Sequence, residues 1–136
     1  MTGAVQIPAA VLDDVVAHAR ETLPDECCGL LVGEPASVVR AVRARNLTPS
    51  PRRYLIDPAD HFAAIRDARA DGLAVVGAYH SHPGAPSEPS RQDLAEALFP
   101  DFLYLIVSIG PAGEPADARA YRLKSGQALR VDIART

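Results

Sequence analysis

His80 and His82 stand on either side of Ser81, and a carboxylate, Asp93, follows eleven positions after the second histidine. Along an extended strand the side chains at i and i+2 project to one side, so this spacing predicts two imidazoles side by side. Neutral imidazoles ligate metals, and a carboxylate folded back onto them completes a two-nitrogen, one-oxygen set with a fourth position open. That is the donor set of a hydrolytic zinc centre, and one such cluster predicts one zinc per chain. Taken singly, Ser90 would be a helix cap, Asp93 a partner of the helix dipole, and His18 and His61 ordinary surface or core histidines. An apolar strand ending in two histidines, however, has no packing rationale.

A hydrolytic centre also needs a base for its water. The sequence has no His-Glu-x-x-His helix, so that carboxylate must come from elsewhere. Glu26 is the candidate: it stands at the mouth of an apolar run, Cys28 to Gly33, where an acidic residue is unusual. Asp25 beside it reads as a solvated loop carboxylate.

The surrounding elements follow from periodicity. Pro8 opens a helix over 8–21 with Leu12, Val15, Val16 and Ala19 on one face, and Pro24 ends it. Residues 28–33 and 37–45 read as a strand pair, 46–53 as a loop, and Tyr54 and Ile56 as a short strand. Asp57-Pro58 starts a second helix with Phe62, Ile65 and Ala68 on its inner face and Gly72 closing it. Residues 73–80 form the strand that carries the histidines. Pro83, Pro86 and Pro89 interrupt regular structure until Ser90 caps a helix running to about Leu98. Strands follow at 102–109, 117–123 and 127–133. No repeat or linker divides the chain, so residues 1–136 read as one α/β domain.

Composition narrows the function classes. A chain of 136 residues with 48% hydrophobic and 23% charged residues suits one globular domain with its own core. A net charge of −3 disfavours a dedicated nucleic-acid binder. No apolar stretch has the length of a membrane span, and Met1 to Gln6 lacks the pattern of a secretory signal. Cys27 and Cys28 are neighbours and form no disulfide framework, so a reducing cytoplasm is the expected compartment.

Two blocks of the sequence resemble the JAMM (MPN+) metalloprotease family. The first is Pro-x-Glu-x-Cys-Gly-x-Leu-x-Gly, here Pro24, Glu26, Cys28, Gly29, Leu31 and Gly33. The second is His-Ser-His-Pro-x6-Ser-x2-Asp, here His80, Ser81, His82, Pro83, Ser90 and Asp93. The resemblance implies a mixed β-sheet flanked by helices, like the cytidine-deaminase architecture, and zinc-dependent cleavage of peptide or isopeptide bonds. By carry-over, His80, His82 and Asp93 bind zinc, Glu26 is general base and later proton donor, and Ser90 steadies the oxyanion. A nucleobase deaminase is disfavoured, because its His-x-Glu and Pro-Cys-x-x-Cys signatures are missing.

The short connections resemble the small stand-alone bacterial members, which act on ubiquitin-like sulfur carriers ending in Gly-Gly. An uncovered zinc cleft suits such a tail, since glycine lets a backbone approach closely. A homodimer is compatible with this reading; a nucleic acid or membrane partner is not expected. Arg40, Arg43, Arg45, Arg52 and Arg53 lie in a stretch with no acid between Glu34 and Asp57. This is either a solvated face or a docking surface for an acidic carrier. Two rival functions stand beside the peptidase: a metal-dependent amidase acting on a small molecule, and a catalytically silent binding module of the same fold.

Overall fold

Proline and glycine set most of the element boundaries. The computed structural model describes residues 3–97, 99–114 and 116–136. Pro8 separates a short strand, β1 (Val5–Ile7), from helix α1 (Ala9–Thr22), for which it serves as the N-cap. Then come β2 (Cys28–Glu34), β3 (Ser37–Ala44), α2 (Pro58–Ala70), β4 (Ala74–Pro83), α3 (Arg91–Glu96), β5 (Leu103–Ile109), β6 (Asp117–Lys124), β7 (Gln127–Val131) and β8 (Ile133–Arg135). Among the described residues no helix is long and apolar enough to cross a membrane.

The strands form one sheet in the order β7-β6-β5-β4-β2-β3-β1-β8. β4 runs parallel to β5, and β1 parallel to β3 and β8, while the other pairs are antiparallel. This is the mixed α/β sheet that the resemblance implies. Strand alternation sorts the core into two layers. Val11, Leu12, Val15 and Ala19 of α1 pack with Leu31, Tyr79, Leu105 and Val107 on one face. Ala64 of α2 packs with Leu30, Ala78 and Ile106 on the other. Gly29 serves the first layer: a Cβ there would lie 2.2 Å from the Tyr79 ring, so only glycine lets that ring lie flat on β2.

Several expectations need correction. Tyr54 and Ile56 form no strand; a single bridge joins Ile56 to Asn46. Two backbone bonds, Leu47 N–H to the Leu55 carbonyl and Asp57 N–H to the Arg45 carbonyl, flank that bridge, and the Asn46 side chain takes the Leu55 N–H, so the pairing goes no further. Phe62 does not face the core but is 72% exposed. At about 100° per residue it stands roughly 200° around the helix from Ala64, and the small alanines let α2 sit close on the sheet. The stretch 127–133 is two strands: after the single residue Asp132 the chain stops pairing with β6 and pairs with β1 instead. β1 itself is too short for alternation to reveal. Helix α3 ends at Glu96, and Leu98, like Met1 and Thr2, lies outside the described residues.

Candidate active site

The register between β2 and β4 assembles the site. Cys28 pairs with His80, and beyond that pair the Ser81 N–H donates to the Cys27 carbonyl (3.2 Å). Continuing this antiparallel register by two residues puts Glu26 across from His82, so residues distant in sequence share one side of the sheet. The Ser81 hydroxyl points to the opposite side and accepts the Cys27 N–H (2.8 Å), locking the two strands where they carry the functional groups.

Asp93 arrives from α3. Its backbone N–H is accepted by the Ser90 hydroxyl (3.0 Å), and its Oδ2 accepts the Ser90 N–H (2.9 Å), a reciprocal cap. The same Oδ2 lies 3.2 Å from His80 Nε2 and 3.1 Å from His82 Nε2, and those two nitrogens are 3.1 Å apart. His82 Nδ1 lies 2.8 Å from the Pro86 carbonyl, which only accepts, so Nδ1 carries a proton and the neutral ring turns its Nε2 lone pair inward. A lone pair, a carboxylate oxygen and the second imidazole nitrogen thus converge in a nearly closed pocket, with His80 2% and His82 7% exposed. In a tetrahedron whose arms are about 2.0–2.1 Å, neighbouring ligands are about 3.3 Å apart. The triangle of acceptors has that size and that need for positive charge, so the residues fit a zinc ion.

Electrostatics follow the geometry. Burial holds the His80 pKa below its ordinary value. Burial also opposes charge on His82, but hydrogen bonds to Asp93 and Pro86 outweigh it and raise that pKa. Burial would raise Asp93, yet its bonds to His80 and His82 bring it well below the usual carboxylate range.

Glu26 differs from Asp93. Its side chain is buried, and one of its oxygens lies within 4.8 Å of ligand atoms on both histidines. Among the described residues no hydrogen bond joins it to either ring. Burial raises its pKa to about 7, with His82 opposing and Asp93 reinforcing the shift. A carboxyl group poised near neutrality can both take and return a proton. Glu26, Arg52, His82, Pro86, Glu88 and Ser90 line an open cleft of about 430 Å³.

Two residues with a bearing on the site were not singled out from the sequence. Tyr54 stacks on the His80 ring, with centroids 4.3 Å apart. Asn46 donates from Nδ2 to the Glu26 and Arg53 carbonyls, and its Oδ1 accepts from the Thr48 and Leu55 N–H groups. The Glu26 N–H donates in turn to the Ser50 carbonyl (2.8 Å), so the loop after β3 holds the Glu26 backbone from both sides. Asparagine followed by a proline-containing loop was the one available hint. Cys27 and Cys28 are buried free thiols, pushed by burial up to about 11 and about 12, which disfavours the thiolate near neutral pH.

The arginine stretch does not make one surface. Arg40 pairs with Asp71 beyond α2 and Arg43 with Glu21 of α1, on opposite faces of the sheet, and Arg53 faces Glu96.

Hydrolysis of an amide is the reaction such a group of side chains can perform, and the class it defines on this sheet is the JAMM-type peptidase. The chain belongs to the prokaryotic homologs of the JAB domain, whose family model matches residues 8–124. It is 36% identical over 123 residues to the CysO-cysteine peptidase of Mycobacterium tuberculosis, covering 88% of this chain and 83% of the relative. It is also 36% identical over 128 residues to a probable TtuB-protein conjugate cleaving protease of Thermus thermophilus, covering 93% and 81%. A solution structure of a protein from Desulfitobacterium hafniense superposes with a TM-score of 0.87 at 31% identity, covering 97% of this chain and 92% of that one.

Proposed function

We propose that the protein is a zinc-dependent peptidase that hydrolyses the amide bond following the C-terminal Gly-Gly of a small ubiquitin-like or sulfur-carrier protein in the cytoplasm. In this reading His80, His82 and Asp93 hold one zinc, Glu26 is the general base and then the proton donor, and Ser90 is the oxyanion donor. The observation that carries it is the Glu26 carboxylate, buried and raised to about 7, standing within 4.8 Å of two imidazoles in an open cleft. A silent binding module has no use for that arrangement.

What such a centre supplies when loaded is Lewis acidity, a more acidic water and a polarised carbonyl. Glu26 takes the proton from the attacking water and passes it to the departing amine. Ser90 accepts a hydrogen bond from Asp93, which leaves its own hydroxyl proton to donate toward negative charge gathering on the carbonyl oxygen. The Pro86 carbonyl fixes the His82 tautomer throughout. A substrate ending in two glycines suits the cleft, because no side chain then keeps the backbone from the buried groups. An apolar groove of about 520 Å³, lined by Phe62, Ile65, Phe99 and Phe102 among others, offers a surface for the folded body of a carrier.

The test is mass spectrometry of carrier adducts, each with an amino acid joined to the terminal glycine, incubated with the zinc-loaded protein. Release of the amino acid is expected, and a free tail peptide should be a much poorer substrate than the whole carrier, since remote contacts that orient the bond are lost. Failure to cleave any Gly-Gly adduct would return a small-molecule amidase to first place.

A further inference from the structure

The cleft is acidic except at one place. Glu26 and Glu88 line it, Glu88 facing Arg119 (3.8 Å), and the exposed Arg52 is the one arginine or lysine among its lining residues. Arg40, Arg43 and Arg53 each face a carboxylate of their own chain; among the described residues Arg52 faces none. Its backbone is nevertheless held in place. The Arg52 N–H donates to the Ser50 hydroxyl (3.1 Å), the Ser50 carbonyl accepts the Glu26 N–H, and Asn46 binds the Arg53 and Glu26 carbonyls. The arginine is therefore indexed to the backbone of the residue that handles the proton.

That placement has a chemical meaning for the departing group. Hydrolysis forms a bond from the water oxygen to the glycine carbonyl carbon and breaks the C–N bond. One water proton goes through Glu26 to the leaving nitrogen and the other is given up as the new acid ionises, protonating the amine, so the products are a glycine carboxylate and an ammonium. If the amine belongs to an amino acid, its carboxylate carbon lies two covalent bonds, about 2.5 Å, from the nitrogen that Glu26 protonates. A carboxylate at that distance calls for a cation of its own, and Arg52 is the lining cation with no carboxylate partner among the described residues. If the amine is instead a lysine side chain in a protein, four methylenes separate it from the main chain, whose carboxyl is an uncharged amide.

We propose that Arg52 is a specificity-determining residue that receives the free α-carboxylate of a single amino acid leaving group. It makes the enzyme release terminal amino acids from Gly-Gly in preference to opening isopeptide bonds to lysine. The inference rests on the peptidase reading above. The planar guanidinium can engage a carboxylate through two parallel bonds, which a lysine ammonium cannot reproduce.

The experiment uses three adducts of one carrier: an amino acid with a free carboxylate, the same amino acid as its carboxamide, and a peptide joined through a lysine side chain. Zinc-loaded wild type, Arg52→Gln and Arg52→Lys are compared by kcat/KM on each. The expected ratio of acid to carboxamide is about 10- to 100-fold in wild type, the range for a hydrogen-bonded charge pair. It should fall toward one in Arg52→Gln and be partly restored in Arg52→Lys. An acid-to-carboxamide ratio that is the same in wild type and Arg52→Gln overturns the inference alone. So does an equal loss on all three adducts, which would make Arg52 a docking residue for the carrier body. Failure of wild type on every adduct overturns the peptidase reading and this inference with it.

Discussion

Glu26 and Asp93 are both acidic and lie on the same side of one sheet, yet their surroundings drive them in opposite directions. Asp93 is tied to two imidazoles and a backbone N–H and stays ionised, whereas Glu26 is desolvated without such bonds and rises to about 7. In the proposed mechanism this difference assigns them separate tasks, one of holding and one of proton transfer. Glu26→Gln should keep a full equivalent of zinc by elemental analysis while losing about 10²- to 10⁴-fold in kcat. Asp93→Ala should lose most of the metal. Zinc retained in both variants with activity within a fewfold of wild type would remove the assignments. The residue types and spacing that carry these roles were legible, because His-x-His on a strand and a capped Asp encode their geometry locally. Asn46 and Tyr54 were not, since their importance lies in which backbone or ring they meet, and nothing nearby in sequence specifies that.

The loop 84–90 between β4 and α3 works as an element even though it has no regular structure. The Ser87 hydroxyl donates to Asp117 on β6 (2.6 Å), the Tyr121 hydroxyl donates to the Ser87 carbonyl (2.8 Å), and the Ser108 hydroxyl donates to the Ala85 carbonyl (2.6 Å). These bonds fix the Pro86 carbonyl that orients His82 and set the start of α3. Ser87→Ala should weaken zinc binding about 10- to 100-fold in a competition assay with a chelating dye, as loss of outer partners of metal ligands does. Fold stability should fall only by about 1 kcal/mol. Unaltered zinc affinity would mean that the prolines alone fix the loop. Three prolines announced an irregular segment, but its anchors lie 23 to 34 positions away on β5 and β6 and left no local trace. Helix α2 shows the converse: its ends were plain from Asp57-Pro58 and Gly72, while its inner face was misjudged because Phe62 yields to alanines that permit closer packing.

At the scale of the whole molecule, two apolar layers, one under α1 and one under α2, fill both faces of the sheet. An apolar core of that extent suffices for a chain of 136 residues without a metal staple. Removal of zinc by a chelator should therefore abolish turnover while far-UV circular dichroism stays native. The melting temperature should drop by the binding linkage, roughly 2–6 °C per kcal/mol for a domain of this size. Complete unfolding on chelation would show that the metal is a structural staple. An α/β domain was readable from the apolar periodicities and its mixed sheet from the family resemblance, but the strand order was not. β1 and β8 are three residues each, and their parallel pairing at the far edge is a long-range choice.

The pairing of β2 with β4 brings together two stretches of chain that are separated by the excursion through β3 and α2, which ends in the exposed turn at Asp71 and Gly72, where φ is +71°. Everything before that turn includes Glu26, and everything after it includes His80, His82 and Asp93. A cut there would divide the proposed proton carrier from the proposed metal ligands, so neither piece alone would hold the whole set. Only reassociation along the ladder would restore one, and turnover would then report directly on whether two fragments had found each other.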